Sequence, residues 1–193
     1  MKKGLDWIIG ILDKSGSMCS VRDDAIGGIN TFIKEQQNMD DRTARMTLVL
    51  FDHEYQLVHD GVGIEDVTPF TEDTYVPCGT TALFDAIGRT VTDVGKKLDS
   101  MLEDERPENV IVGILTDGYE NASKDYTKEQ IKEMIDRQQN DYNWKFIFLA
   151  ATQEGFDNAE SIGIPKDRLI LFDTNKVGES FIGMSSAIGS FRG

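Results

Sequence analysis

Two rhythms of apolar residues alternate along the chain. Residues 7–12, Trp-Ile-Ile-Gly-Ile-Leu, form an unbroken apolar run, the pattern of a strand covered on both faces. Ile26, Ile29, Phe32 and Ile33 then recur at helical spacing. Residues 46–51 and 55–59 are two further strand-like runs, joined only by Asp52, His53 and Glu54. So short a link allows an antiparallel hairpin alone, because a parallel crossover takes about a dozen residues. After a loop through Pro69 and Pro77, a second helix is marked by Leu83, Ile87, Val91, Val94 and Leu98. Residues 110–115 read as another buried strand. A third helix is expected from near Thr127, where Thr127 and Gln130 have capping-box spacing and Ile131, Met134 and Ile135 form the inner face. Residues 146–150 and 169–172 supply the last strands, and Phe181, Met184, Ile188 and Phe191 stripe a C-terminal helix.

Strand–helix alternation of this kind predicts an α/β, three-layer αβα sandwich: a mostly parallel central sheet, one antiparallel edge strand, and helices on both faces. With no repeat, low-complexity tract or Pro- or Ser-rich linker, residues 1–193 are expected to form a single domain. Sheets of this class hold their ligands outside the carboxyl ends of the strands, at a topological switch point.

Charge narrows the partners. Lys and Arg number 20 against 34 Asp and Glu, a formal net charge of −14, and such a surface repels phosphate backbones, so nucleic acid is not expected to bind. Asp40-Asp41 and Glu103-Asp104-Glu105 are read as solvated loops or helix ends. Lys2 and Lys3 before an apolar run faintly imitate a secretory leader, but Asp6 interrupts it, Asp13 ends it and no small-residue cleavage site follows. The run is also far shorter than the roughly 20 residues of a membrane span, so no membrane contact and a cytoplasmic location are expected. Cys19 and Cys78 are too few for a disulfide framework and are read as free thiols, with a redox-sensitive pair as the alternative because both flank loops expected to converge.

Three clusters of aspartate, small hydroxyl residues and glycine fall where the ligand crevice is predicted. The first strand runs into Asp13-Lys14-Ser15-Gly16-Ser17. The second helix is introduced by Gly79-Thr80-Thr81, and the strand ending at Leu115 runs into Thr116-Asp117-Gly118-Tyr119-Glu120-Asn121. These are ligands for a hard cation such as Mg²⁺, which wants near-octahedral oxygens and keeps several waters. Ser15, Ser17 and Thr81 offer neutral oxygens, Asp13 and Asp117 offer charge, and Gly16, Gly79 and Gly118 let the backbone bend closely.

These strings carry a family resemblance. D-K-S-G-S-M resembles the D-x-S-x-S signature of the von Willebrand factor type A (vWA) domain, G-T-T-A-L-F-D-A-I resembles its threonine loop, and T-D-G-Y-E-N its last metal loop. The resemblance extends over the order of elements along essentially the whole chain, and implies the Rossmann-like vWA fold of a bacterial-type stand-alone member. It further implies an intact metal-ion-dependent adhesion site (MIDAS). Ser15 and Ser17 would ligate Mg²⁺ (or Mn²⁺ or Ca²⁺) directly, and Thr81 directly or through water, with Thr80 as the alternative. Asp13 and Asp117 would act through water or hydrogen-bond the ligands. The implied function is a non-enzymatic adaptor or scaffold module, whose ion accepts an aspartate or glutamate from a protein partner. ATPase and stress-response assemblies are the partners that the resemblance suggests.

The rival is a Mg²⁺-dependent phosphohydrolase using Asp13 as nucleophile. That chemistry calls for a second aspartate two residues on, where this chain has Ser15. A Walker-type phosphate loop is missing from the sequence. His53 and His59 fall in the hairpin and are given surface or packing roles, and Glu120 is read first as a solvated loop residue, with support of the metal ligands or a specificity contact at the rim as alternatives.

Overall fold

The computed structural model describes residues 1–39, 42–117, 120–171 and 177–192. Asp40-Asp41, Gly118 and Phe172, each given a role above, lie outside the described residues. The elements run β1 (Lys2–Asp13), α1 (Arg22–Gln37), β2 (Thr43–Phe51), β3 (Tyr55–Gly63), α2 (Leu83–Ser100), β4 (Pro107–Thr116), α3 (Lys128–Tyr142), β5 (Lys145–Ala150), α4 (Gln153–Ser161), β6 (Leu169–Leu171) and α5 (Val177–Arg192). They build one sheet in the order β3-β2-β1-β4-β5-β6. Every neighbouring pair is parallel except β2 with β3, the expected hairpin, in which Phe51 faces Tyr55 across the three-residue link. The α/β sandwich expected from the sequence is the one observed.

Alternation along β1 sorts the core into two halves. Ile8 and Leu12 point into the layer that holds Ile29, Phe32 and Ile33 of α1 with Phe181, Met184 and Ile188 of α5. Trp7, Ile9 and Ile11 point into the opposite layer, with Ile87 and Val91 of α2, Ile131 and Ile135 of α3, and Ala159 of α4. Period-2 side-chain direction on a strand buried on both faces has this consequence. The two helices of the first layer cross closely at Gly28, where a Cβ would sit 2.3 Å from a ring carbon of Phe181.

The expected helix caps and stripes are in place, including a reciprocal capping box between Thr127 and Gln130. Three features differ from the sequence expectation. β1 starts at Lys2, so Asp6, which seemed to break the apolar run, is a fully buried strand residue. α4 was not foreseen; it is nine residues long and its inner face offers only Gly155 and Ala159 as buried positions, too faint a stripe to read. A six-residue 3-10 turn, Gly16–Val21, links the first loop to α1.

At the end of the sheet away from the three loops, Asp6 is a charged hub. Its carboxylate accepts from Arg42 Nε at 2.9 Å and Nη2 at 2.7 Å, from Asn109 Nδ2 at 2.9 Å and from Arg192 Nε at 3.1 Å. Arg192, the last turn of α5, is itself fully buried and also donates to Gln36 Oε1 at 2.8 Å. The hydrogen bonds to Asp6 push the Arg42 guanidinium further above its ordinary range. Among the described residues, no helix is long and apolar enough to cross a membrane.

Candidate metal site

β1 lies mid-sheet, with β2 on one side and β4 on the other. The chain reverses its direction of winding there, which opens a crevice at the carboxyl ends of β1 and β4. Asp13 ends β1, and Thr116 ends β4. The Asp13 carboxylate is wholly buried. It accepts from the Ser15 N–H at 2.6 Å and from Thr116 Oγ1 at 2.5 Å. Ser15 Oγ lies 3.1 Å from Ser17 Oγ, and Ser17 Oγ donates to Asp117 Oδ1 at 2.7 Å. Asp13, Ser15, Ser17 and Asp117 are thus one continuous polar chain across the crevice.

The threonine loop joins through its backbone. Gly16 N–H donates to Gly79 O at 3.1 Å and Asn121 N–H to Thr81 O at 3.0 Å, while Asn121 Oδ1 accepts from the Thr81 N–H at 3.0 Å. Thr81 is 3% exposed whereas Thr80 is exposed, so Thr81 is the inward-facing residue of the two. Gly79 has φ +70° and a Cβ there would fall 2.1 Å from His53 Nδ1. Only glycine suits this left-handed, crowded position.

Burial dominates the electrostatics of the two acids. Burial pushes the Asp13 carboxyl up to about 6, against the hydrogen bonds from Thr116 and Ser15, and the nearby Asp117 charge adds to the rise. Burial likewise raises Asp117, opposed by its bond from Ser17. The adjacent ammonium is committed elsewhere: Lys14 Nζ donates to Asp52 Oδ2 at 2.6 Å. Burial would raise Asp52, but Lys14, the Glu54 N–H and the Cys78 thiol together outweigh it and hold the carboxyl below its usual range. No cluster of three or more His, Cys, Asp or Glu side chains suited to a metal occurs among the described residues. Asp13, Ser15, Ser17 and Asp117 come together, with Thr81 buried in the adjoining loop, and carboxylates and hydroxyls of this kind suit a hard divalent ion.

Several supporting residues escaped the sequence. Tyr75 is fully buried, and its hydroxyl donates to Asp13 O at 2.5 Å. Lys14 ties three segments: its N–H donates to Phe51 O at 2.7 Å and its carbonyl accepts from Cys78 N–H at 2.8 Å, beside the Asp52 pair. His53, given no link to the loops above, lies against Gly79. Contact across a chain fold leaves no local signal.

Glu120 corrects the expectation of a solvated residue. Its Oε2 accepts from the Phe84 N–H at 2.9 Å and from Ser123 Oγ at 2.7 Å, and its Oε1 from the Ala122 and Ser123 N–H groups at 3.0 and 2.7 Å. Ala82, at the N-cap of α2, has no side chain able to cap, so the loop after β4 lends the helix its acceptor. Asp85 returns the arrangement, accepting from the N–H groups of Lys124, Asp125 and Tyr126. Glu120→Ala is expected to cost about 1–2 kcal/mol, read as a lower urea midpoint; an unchanged midpoint would refute the capping role.

No family model matches the chain, and no curated protein sequence matches it. Solved structures do. The vWF domain of the type V pili tip protein Mfa5 from Porphyromonas gingivalis is 10% identical, over 100% of this chain and 97% of that one, with a TM-score of 0.66. The von Willebrand factor type A structure from Catenulispora acidiphila is 15% identical over 93% of this chain and 42% of that one, with a TM-score of 0.61. Proximal thread matrix protein 1 from the mussel byssus, with a zinc-occupied MIDAS motif, is 15% identical over 95% and 48%, with a TM-score of 0.65. The chain thus spans less than half of the mussel and Catenulispora chains and nearly all of the Mfa5 domain. Identities this low speak for architecture alone. With the sheet order and crevice described above, they give this chain the fold of von Willebrand factor type A domains.

Proposed function

We propose that this chain is a metal-dependent protein-binding module, an adaptor or scaffold without catalytic activity of its own. The supporting observation is the joining of Asp13, Ser15, Ser17 and Asp117 in one crevice, with both carboxyls raised by burial and the neighbouring Lys14 committed to Asp52. Ser15, Ser17 and Thr81 hold Mg²⁺, or Mn²⁺ or Ca²⁺, and Asp13 and Asp117 balance its charge through water or by orienting the hydroxyls. The mussel neighbour with zinc in its MIDAS motif supports a divalent ion at this place in the fold. When bound, the ion supplies an electrophilic charge that a carboxylate can complete, which lets so acidic a protein receive an Asp or Glu of a protein partner. Against a phosphohydrolase stands Ser15, which occupies the position two residues after Asp13 where that chemistry calls for a second aspartate. An ATPase or stress-response complex as partner, and a cytoplasmic location, belong to the same proposal.

Mg²⁺ or Mn²⁺ at about ten times its dissociation constant is expected to stabilise the chain by roughly 1.4 kcal/mol. Ser15→Ala should abolish that shift, read by thermal denaturation with and without chelator. No shift in the unaltered chain would sink the proposal. A pull-down in Mg²⁺ against chelator then identifies partners that depend on the ion.

A further inference from the structure

We propose that Cys19 and Cys78 are an oxidisable pair, whose disulfide ties the 3-10 turn behind Ser17 to the loop before Thr81 and weakens the ion site. Cys19 Sγ lies 3.5 Å from Pro77 O, so its thiol rests against the peptide group whose nitrogen belongs to Cys78. Backbone bonds hold the two segments in this register: Cys78 N–H donates to Lys14 O at 2.8 Å, and Gly16 N–H to Gly79 O at 3.1 Å. Both cysteines are free and exposed, so a small oxidant reaches them.

The two sulfurs have different neighbours. The Cys78 thiol donates to Asp52 Oδ2 at 3.1 Å, and that carboxylate raises the thiol and keeps its proton in place. With hydrogen peroxide, one of the two sulfurs takes one oxygen as a sulfenic acid and releases one water. Attack by the other sulfur then forms the S–S bond and expels the hydroxyl, which leaves as a second water with the attacking thiol's proton. Two thiols are oxidised and one peroxide is reduced.

The disulfide sulfur has no proton, so the bond from Cys78 to Asp52 is lost when the pair forms. Asp52 accepts from Lys14 and Glu54 besides Cys78, and its carbonyl accepts from the Ala82 N–H at 2.8 Å. Releasing one donor and pulling the loop toward Cys19 shifts the segment that carries Gly79, Thr80 and Thr81. Formation of the pair stands by itself; its effect on the ion rests on the function proposed above.

The full chain, Cys19→Ser and Cys78→Ser are treated with hydrogen peroxide, weighed without reductant, and titrated with Mn²⁺ before and after dithiothreitol. The unaltered chain should lose two hydrogens as a monomer, reversibly, and neither variant should do so. Its oxidised form should bind Mn²⁺ about five-fold or more weakly, the lower end of usual site-to-site coupling. Covalent dimers, or oxidation that stops at sulfenic or sulfinic acid, overturn the pair. A monomeric disulfide with unchanged Mn²⁺ affinity overturns the coupling. Disulfide formation in a reduced chain that binds no Mn²⁺ at all removes the ion site and its coupling, and leaves the pair standing.

Discussion

Asp13→Asn is expected to stabilise the metal-free chain at pH 7 by about 1–3 kcal/mol while erasing its response to Mg²⁺. The Asp13 carboxyl ordinarily ionises near 3.8 and is raised by burial to about 6 in the fold. Between those values the folded chain holds more protons than the unfolded one, so stability falls as pH rises through the interval. At pH 7 the whole penalty is present, roughly 3 kcal/mol from a gap of that size. Asparagine meets the same partners without charge: its oxygen accepts from the Ser15 N–H as Asp13 does, and its amide donates to the Thr116 hydroxyl, reversing that one bond. Urea denaturation in chelator at pH 4.5 and 7 reads both effects. The native chain should lose more stability than the variant as pH rises over this interval, the variant keeping only the smaller contribution of groups such as Asp117. A variant less stable than the native chain at pH 7 in chelator would contradict the burial penalty. Mg²⁺-dependent phosphatase turnover, abolished by the same substitution, would restore the enzyme alternative.

Asp6→Ala should cost about 3–5 kcal/mol, because it strands a buried guanidinium. Arg192 is fully buried, and Asp6 is the carboxylate it donates to. Arg42 would keep Glu108, at 2.8 Å, and stays partly solvated. Replacing both buried partners, Asp6→Leu with Arg192→Met, should recover most of the loss, since an apolar pair of similar volume is often as stable as a buried ion pair. Urea midpoints of the two variants carry the test. A loss under about 1 kcal/mol for Asp6→Ala would show that the hub contributes little.

Much of this architecture was legible in the apolar rhythm. The hairpin followed from the length of Asp52-His53-Glu54, and the α3 start from Thr127 and Gln130. The candidate loops stood out because hydroxyls, aspartates and glycines are grouped within a few residues of strand ends. Their supports did not stand out. Tyr75 lies 62 positions from Asp13 and Glu120 lies 36 from Phe84, so each acts across a fold that no local pattern encodes. Asp6 misled for a related reason: a buried carboxylate resembles a strand break until its arginines, from α5 and from just before β2, are brought to it. α4 stayed hidden because small residues line its inner face.

Ser17 meets Asp117 across 100 positions of chain. Synthesis must proceed past that second residue, and the sheet must close between β1 and β4, before the two oxygens face one another. The proposed cation site is therefore whole only once assembly is complete: an N-terminal fragment ending within α2 carries Ser15, Ser17 and Thr81 but lacks Asp117 and the strand β4 that leads to it.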